Sequence, residues 1–228
     1  MRRVLIFLKD PQPGTVKTRL AATLGDDAAS ALYQACIELT LERLQAFRQD
    51  AVLYVDPPEA LERLAAWVGP SWSLRPQRGA ALGERLAAAA QQSFAEGARR
   101  VVIIGTDAPW MRPEQIREAF ARLDTCDGVV GPTEDGGYYL VGLSRLAPAL
   151  FSGIAWSSPR VFAQTMAKAH ALGLRLHVLP RGYDLDAFND VQRFVDEEAR
   201  RGVVPEPVQR MATLAGVAVP SALVLRQH

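Results

Sequence analysis

Residues 101–109 read Val101-Val102-Ile103-Ile104-Gly105-Thr106-Asp107-Ala108-Pro109, and this stretch decides the fold. Four consecutive branched aliphatic residues with no polar alternation suit a strand covered on both faces. Gly105 and Pro109 stop the run and leave a carboxylate at its end. The same grammar recurs along the chain. Residues 4–8 (VLIFL) form another continuous apolar run, followed by a loop over 9–16 with two prolines and a glycine. Residues 51–55 predict a strand that Pro57-Pro58 ends. Further strands are expected at 128–130, 138–142 and 174–179, and the Gly136-Gly137 pair points to one of them running antiparallel. Helical periodicity and stop signals place helices at about 26–48, 59–68, 82–96, 113–123, 158–172 and 190–201. Asp26 or Asp27, Ser157 or Ser158, and Asp190 are the expected caps. Strand and helix alternate, so the chain should form a three-layer α/β domain on a mixed, mainly parallel sheet.

The 228 residues suit one large domain, expected over 1–202, with an apolar, proline-bearing tail at 203–228 packed on it or on a partner. Lys plus Arg number 26 and Asp plus Glu 25, giving a net charge of +1. That balance supplies no basic field for nucleic acid. Cys36 and Cys126 form no CxxC and read as free buried thiols of a reducing compartment. His170, His177 and His228 have no zinc-like spacing. No apolar run approaches the roughly 20 residues of a membrane span. The N-terminal run is shorter than a signal-peptide core and reads as the first buried strand of a cytoplasmic protein.

Ligands of an open parallel sheet bind beyond the carboxyl ends of its strands. Four polar segments follow strands here: 9–19, 105–109, 131–137 and 181–186. If those strands are parallel, all four share one rim. In the first, Lys9, Gly14, Lys17 and Arg19 form a glycine loop with cations at a helix start, suited to a diphosphate. It is not GxxxxGK[ST], because Val16 precedes Lys17. An ordinary tight turn is the alternative. In the second, Asp107 either caps the next element or holds Mg2+ or Mn2+ beside phosphate oxygens. In the third, Asp135-Gly136-Gly137 either brings backbone close to a ligand or makes a simple turn, with Tyr138 and Tyr139 as half-buried strand residues. In the fourth, Asp184 and Asp186 can share one side of an extended segment, where two carboxylates need a neutralising cation. Arg85 could reach a phosphate or an acceptor. Trp156 either stacks on a sugar or base or simply packs.

The motifs KxPxxGxVKTRL, QxGxxLGxR, GTDAP, GPTEDGGYYLVGL, WSSPxVFxxT and DLDxxND occur in that order over residues 3–199. This set resembles DUF2064, a bacterial family of GT-A-like glycosyltransferases also described as radical SAM- and selenodomain-associated transferases. Its wider relatives are the nucleotide-diphospho-sugar transferases, including guanylyltransferases. The resemblance implies a three-layer, Rossmann-like GT-A fold with a nucleotide at its first half. Lys9, Gly14, Lys17, Arg19, Arg85 and Thr106 would serve the nucleotide. Asp107 would be the metal-binding and catalytic aspartate. The usual DxD is missing, since Gly105 and Pro109 flank it at two residues' distance. A second metal ligand must then come from Asp135 or from Asp184 and Asp186. Asp135 is also the candidate acceptor base, and Gly136, Gly137, Tyr138 and Trp156 would lie on the acceptor side.

The function expected first is a metal-dependent transfer from a nucleoside-diphosphate sugar, with Mg2+ or Mn2+ bridging the phosphates. Nucleotidyl transfer from an NTP with release of pyrophosphate is the alternative. A noncatalytic nucleotide-binding subunit is the third reading. The expected partners are a nucleotide or nucleotide-sugar and an acceptor that the sequence does not name. The chain is expected to be a monomer or a homodimer.

Overall fold

The computed structural model describes residues 1–219. In chain order the elements are β1 (Arg2–Lys9), α1 (Thr18–Leu24), α2 (Asp26–Arg43), β2 (Ala51–Asp56), α3 (Leu61–Val68), β3 (Ser73–Pro76), α4 (Leu82–Ala95), β4 (Arg100–Ile104), α5 (Pro113–Arg122), β5 (Gly128–Pro132), β6 (Tyr138–Leu143), α6 (Val161–Ala171), β7 (Leu176–Val178), α7 (Phe188–Arg200) and α8 (Glu206–Ala215). The chain divides into two compact units. The first holds Met1–Lys9, Ala46–Gly105 and Arg112–Tyr183. The second holds Asp10–Gln45, Thr106–Met111 and the chain from Asp184 onward.

The first unit contains the whole sheet, a mixed, mostly parallel one in the order β3-β2-β1-β4-β6-β5-β7. β6 is antiparallel to both β4 and β5, and the other pairs are parallel. Leu5 lies opposite Val52 on one side and Ile103 on the other. Alternate residues of the central strands, among them Leu5, Phe7, Val101, Ile103 and Val141, pack with Leu86, Ala89 and Ala90 of α4 and Ala169 of α6. The opposite face meets α5, whose buried Ile116, Ala119 and Phe120 precede Leu123 beside Val102 and Gly142. Helices thus lie on both faces, which explains why the central strands read as unbroken apolar runs. β1, β4, β5 and β7 all run the same way, so their carboxyl ends share one edge of the sheet. That is the condition the sequence reading required.

The second unit is helical. α8 packs on α2 and α7. Val191, Phe194 and Val195 of α7 are fully buried, and burying such side chains is worth roughly 1.5–3 kcal/mol each. α8 occupies part of the expected tail, and residues 220–228 of that tail lie outside the described residues.

Several local expectations are corrected. α2 stops at Arg43, and a 3-10 turn over Gln45–Asp50 carries on to β2. Its N-cap is Gly25, so Asp26 and Asp27 sit in the first turn, where they favour the positive end of the helix dipole. α6 starts at Val161, because Ser158 Oγ donates to the Ala155 carbonyl and closes a turn before the helix. Cys36 is buried as expected, but Cys126 is only half-buried; both are free. β3 was not expected, since four partly exposed residues at an edge leave little apolar pattern.

Candidate active site

In the second unit the loop after β1 makes a tight turn. Thr15 N–H donates to the Gln12 carbonyl at 3.1 Å, and Gly14 takes φ +77°. Ser30 Oγ of α2 donates to the Pro11 carbonyl at 2.7 Å and ties the loop down. The loop delivers Lys17 in the left-handed region, at φ 50° and ψ 43°. This costs a non-glycine residue about 1–3 kcal/mol and persists only where the surroundings over-determine it.

Those surroundings are two carboxylates. Lys17 Nζ lies 2.5 Å from Asp107 Oδ1 and 3.1 Å from Asp186 Oδ1. The lysine side chain is 2% exposed, whereas Asp107 is 50% and Asp186 41% exposed. The ammonium is therefore buried while both acids face solvent. Burial alone would lower the Lys17 pKa, but Asp107 chiefly and Asp186 outweigh it and raise it above the ordinary lysine value. The Tyr33 ring lies 5.7 Å from Nζ, and the Tyr33 hydroxyl shares a 2.9 Å hydrogen bond with Thr106 Oγ1. Cys36 is also near this charge, and burial pushes its thiol up to about 12. It is an inert neighbour, not a nucleophile.

Backbone bonds fix both acids. Leu185 N–H donates to the Asp107 carbonyl at 2.8 Å. Asp190 Oδ2 accepts from the N–H groups of Asp186 and Ala187, at 3.1 and 2.7 Å; it supports the start of α7 from the third helical position, with Ala187 and not Asp190 as the N-cap. Asp107 does not cap the next helix, because Arg112 holds the position before Pro113. Arg43 of α2 donates to the Pro109 carbonyl and pairs with Glu198 of α7. Both side chains are buried.

Sequence reasoning missed Tyr33, Arg43 and Glu198. Glu198 left a signal, since it falls on the apolar stripe Val191-Phe194-Val195 at the next helical turn. Tyr33 and Arg43 look like ordinary helix residues. Arg19 is exposed beside this cluster in sequence and makes no ion pair among the described residues. Asp184 is half-buried.

Two converging, half-exposed carboxylates fit Mg2+ or Mn2+, which commonly take one or two carboxylates and complete their shell with water and phosphate oxygens. No group of three or more His, Cys, Asp or Glu residues that could hold a metal occurs among the described residues. The set thus suits an ion shared with a phosphate ligand, not a closed protein cage.

In the first unit Asp135 Oδ1 accepts from Thr133 Oγ1 at 2.5 Å and from Gly137 N–H at 3.0 Å. It closes the β5–β6 hairpin turn. Gly136 takes φ +88°, and a Cβ there would lie 2.2 Å from the Pro159 carbonyl oxygen. Its closeness is to backbone. Trp156 packs edge-on to Tyr138, with centroids 6.1 Å apart, and against Gly83 at the start of α4. Burial raises the Tyr138 pKa well above the ordinary phenol value. Arg85 pairs with Asp56 at 2.7 Å and donates to the Gly79 carbonyl at 3.0 Å, so it shapes the loop before α4. Lys9 is exposed at the end of β1.

The family model of DUF2064, described as uncharacterized protein conserved in bacteria, matches residues 40–158. The phosphoenolpyruvate guanylyltransferase of Sphaerobacter thermophilus is 32% identical over 187 residues, 78% of this chain and 86% of the relative. A crystal structure from Desulfovibrio desulfuricans G20, assigned as a nucleotide-diphospho-sugar transferase, superposes with a TM-score of 0.83 at 32% identity, covering 94% of this chain and 96% of that one. A cytidylyltransferase structure from Leptospira borgpetersenii reaches a TM-score of 0.52 at 13% identity, over 94% and 92% of the two chains, and shows likeness of fold alone. The chain belongs to the DUF2064 family and has the Rossmann-like fold of the nucleotide-diphospho-sugar transferases.

Proposed function

We propose that the chain is a nucleotidyltransferase. It would join the α-phosphorus of a nucleoside triphosphate to a small phosphorylated acid and release pyrophosphate. The observation that carries this reading is the partner of Asp107. It is Lys17, which also pairs with Asp186 from the segment before α7, so the second acid of the site comes from there and not from a DxD neighbour. That arrangement favours the alternative weighed from the sequence over sugar transfer. The guanylyltransferase relative supports the same choice and suggests GTP and phosphoenolpyruvate as the first pair to try.

In this reaction an acceptor phosphate oxygen attacks the α-phosphorus, the α–β anhydride bond breaks, and its electrons leave on pyrophosphate. A phosphate nucleophile is already anionic, so it needs no general base. The chain's part is positioning and charge. Asp107 and Asp186, held by Leu185 and Asp190, would fix Mg2+ or Mn2+; when bound, that ion neutralises phosphate charge. Arg19, exposed and without an ion pair among the described residues, is a candidate for the leaving phosphates.

The test is pyrophosphate release across the four NTPs with phosphoenolpyruvate and related phosphorylated acids, with Mg2+ or Mn2+. One NTP should give pyrophosphate and an equal amount of nucleotidyl product. Asp107→Asn should lower kcat by about 100-fold or more. Consumption of a nucleotide-sugar without pyrophosphate would restore the glycosyltransferase reading. Tight nucleotide binding without turnover would restore the binding-subunit reading.

A further inference from the structure

The lysine in the site points the wrong way for a phosphate ligand. Its side chain is 2% exposed, and its two carboxylate partners are the solvent-facing groups. Its left-handed backbone and the Tyr33 ring beside it hold it in that place. We propose that Lys17 is the resident cation of the Asp107–Asp186 pair, and that it makes occupation of the pair by a divalent metal depend on the phosphates of a bound nucleotide. This rests on the nucleotidyl-transfer reading of the same site.

Two carboxylates that meet at one point repel each other, and Lys17 neutralises one of the two charges. The trio keeps a net charge of −1. A divalent cation on the same carboxylates meets a fixed positive charge within hydrogen-bond reach of both ligands. Without nucleotide it should therefore bind weakly. A triphosphate adds negative charge on the solvent side and offsets that repulsion. Metal and nucleotide then bind with positive coupling, each raising the other's affinity by the same factor. Reading Lys17 as a direct phosphate contact predicts a different result for its removal. It would weaken nucleotide binding and leave nucleotide-free metal affinity unchanged.

The experiment is an Mn2+ titration followed by the EPR signal of the free ion, in the absence of nucleotide. Lys17→Met should bind Mn2+ on the order of 10-fold more tightly than wild type. Lys17→Gln is neutral but can still donate to both carboxylates, so it protects the test against misfolding of the methionine variant. Adding Asp107→Asn to either variant should abolish the gain. Far-UV circular dichroism checks that each variant is folded. No gain in a folded neutral variant overturns the proposal, as does a gain that survives Asp107→Asn. Wild type that releases no pyrophosphate from any NTP would sink the nucleotidyl-transfer reading but would leave this comparison of metal affinities readable.

Discussion

Gly136 has a side-chain-free job that its sequence context disguises. Its φ of +88° and the 2.2 Å gap that a Cβ would leave to the Pro159 carbonyl make any larger residue both strained and clashing. The Gly136 carbonyl also accepts from Phe162 N–H at 2.8 Å, which ties the hairpin turn to the start of α6. Gly136→Ala should cost about 2 kcal/mol or more, read by urea unfolding; a loss within about 0.5 kcal/mol would contradict this packing. Asp135 beside it is engaged through Oδ1 in the turn. With a phosphate as nucleophile, Asp135→Asn should leave kcat within about threefold of wild type, since a required general base is worth about 100-fold or more. A loss of that size in steady-state kinetics would mean a hydroxyl acceptor and a working base. Among single residues the sequence offers Asp107 and Asp186 as candidates by their place after strands. It could not show which way Lys17 faces, because burial of one charged group between two others is a tertiary fact.

At the scale of elements, the strands and helices that read clearly are those with a full apolar face. β1 and β4 are covered on both sides and read as unbroken runs. β3 is a four-residue edge strand of half-exposed residues, too short to carry a period. α2 ends early because the chain tightens into a 3-10 turn that buries Phe47, which helical spacing alone does not forbid. α8 lay in a stretch whose prolines suggested a tail, yet Pro205 and Pro207 sit at its start, where proline costs no hydrogen bond. The pairing of β5 with β7 is buttressed by Asp127. Its Oδ2 accepts from Arg175 N–H at 2.9 Å, and its Oδ1 from Arg145 Nε at 3.1 Å. The backbone N–H of Arg175, with help from both arginine charges, lowers the Asp127 pKa below the ordinary carboxylate value. A lowered folded-state pKa stabilises at pH above the unfolded value of about 4, and the benefit is lost as the pH falls through the folded value. Asp127→Asn should therefore melt below wild type at about pH 7, and the gap should narrow as the pH falls below about 4. A gap that is constant with pH would contradict the assignment.

For the whole molecule, no helix among the described residues is long and apolar enough to cross a membrane. The sheet order, with β6 alone reversed, supplies a common edge for the carboxyl ends of β1, β4, β5 and β7. The alternation of strands and helices makes this architecture legible in the sequence. The division into a sheet unit and a helical unit was not legible, because the second unit is assembled from three separated segments. Local patterns do not reveal such discontinuous packing. The Lys17–Asp107–Asp186 cluster follows from that assembly, since its three residues each come from a different one of those segments. Nucleotidyl transfer by this chain is the proposal on which the rest depends. A single 31P NMR time course tests it, with the wild-type protein, Mg2+, the four NTPs, phosphorylated small acids and nucleotide-sugars present together. Pyrophosphate and a new diphosphate linkage to the acceptor should grow in equal amounts while the nucleotide-sugars stay intact. Intact triphosphates with a nucleoside diphosphate released from a nucleotide-sugar would contradict it.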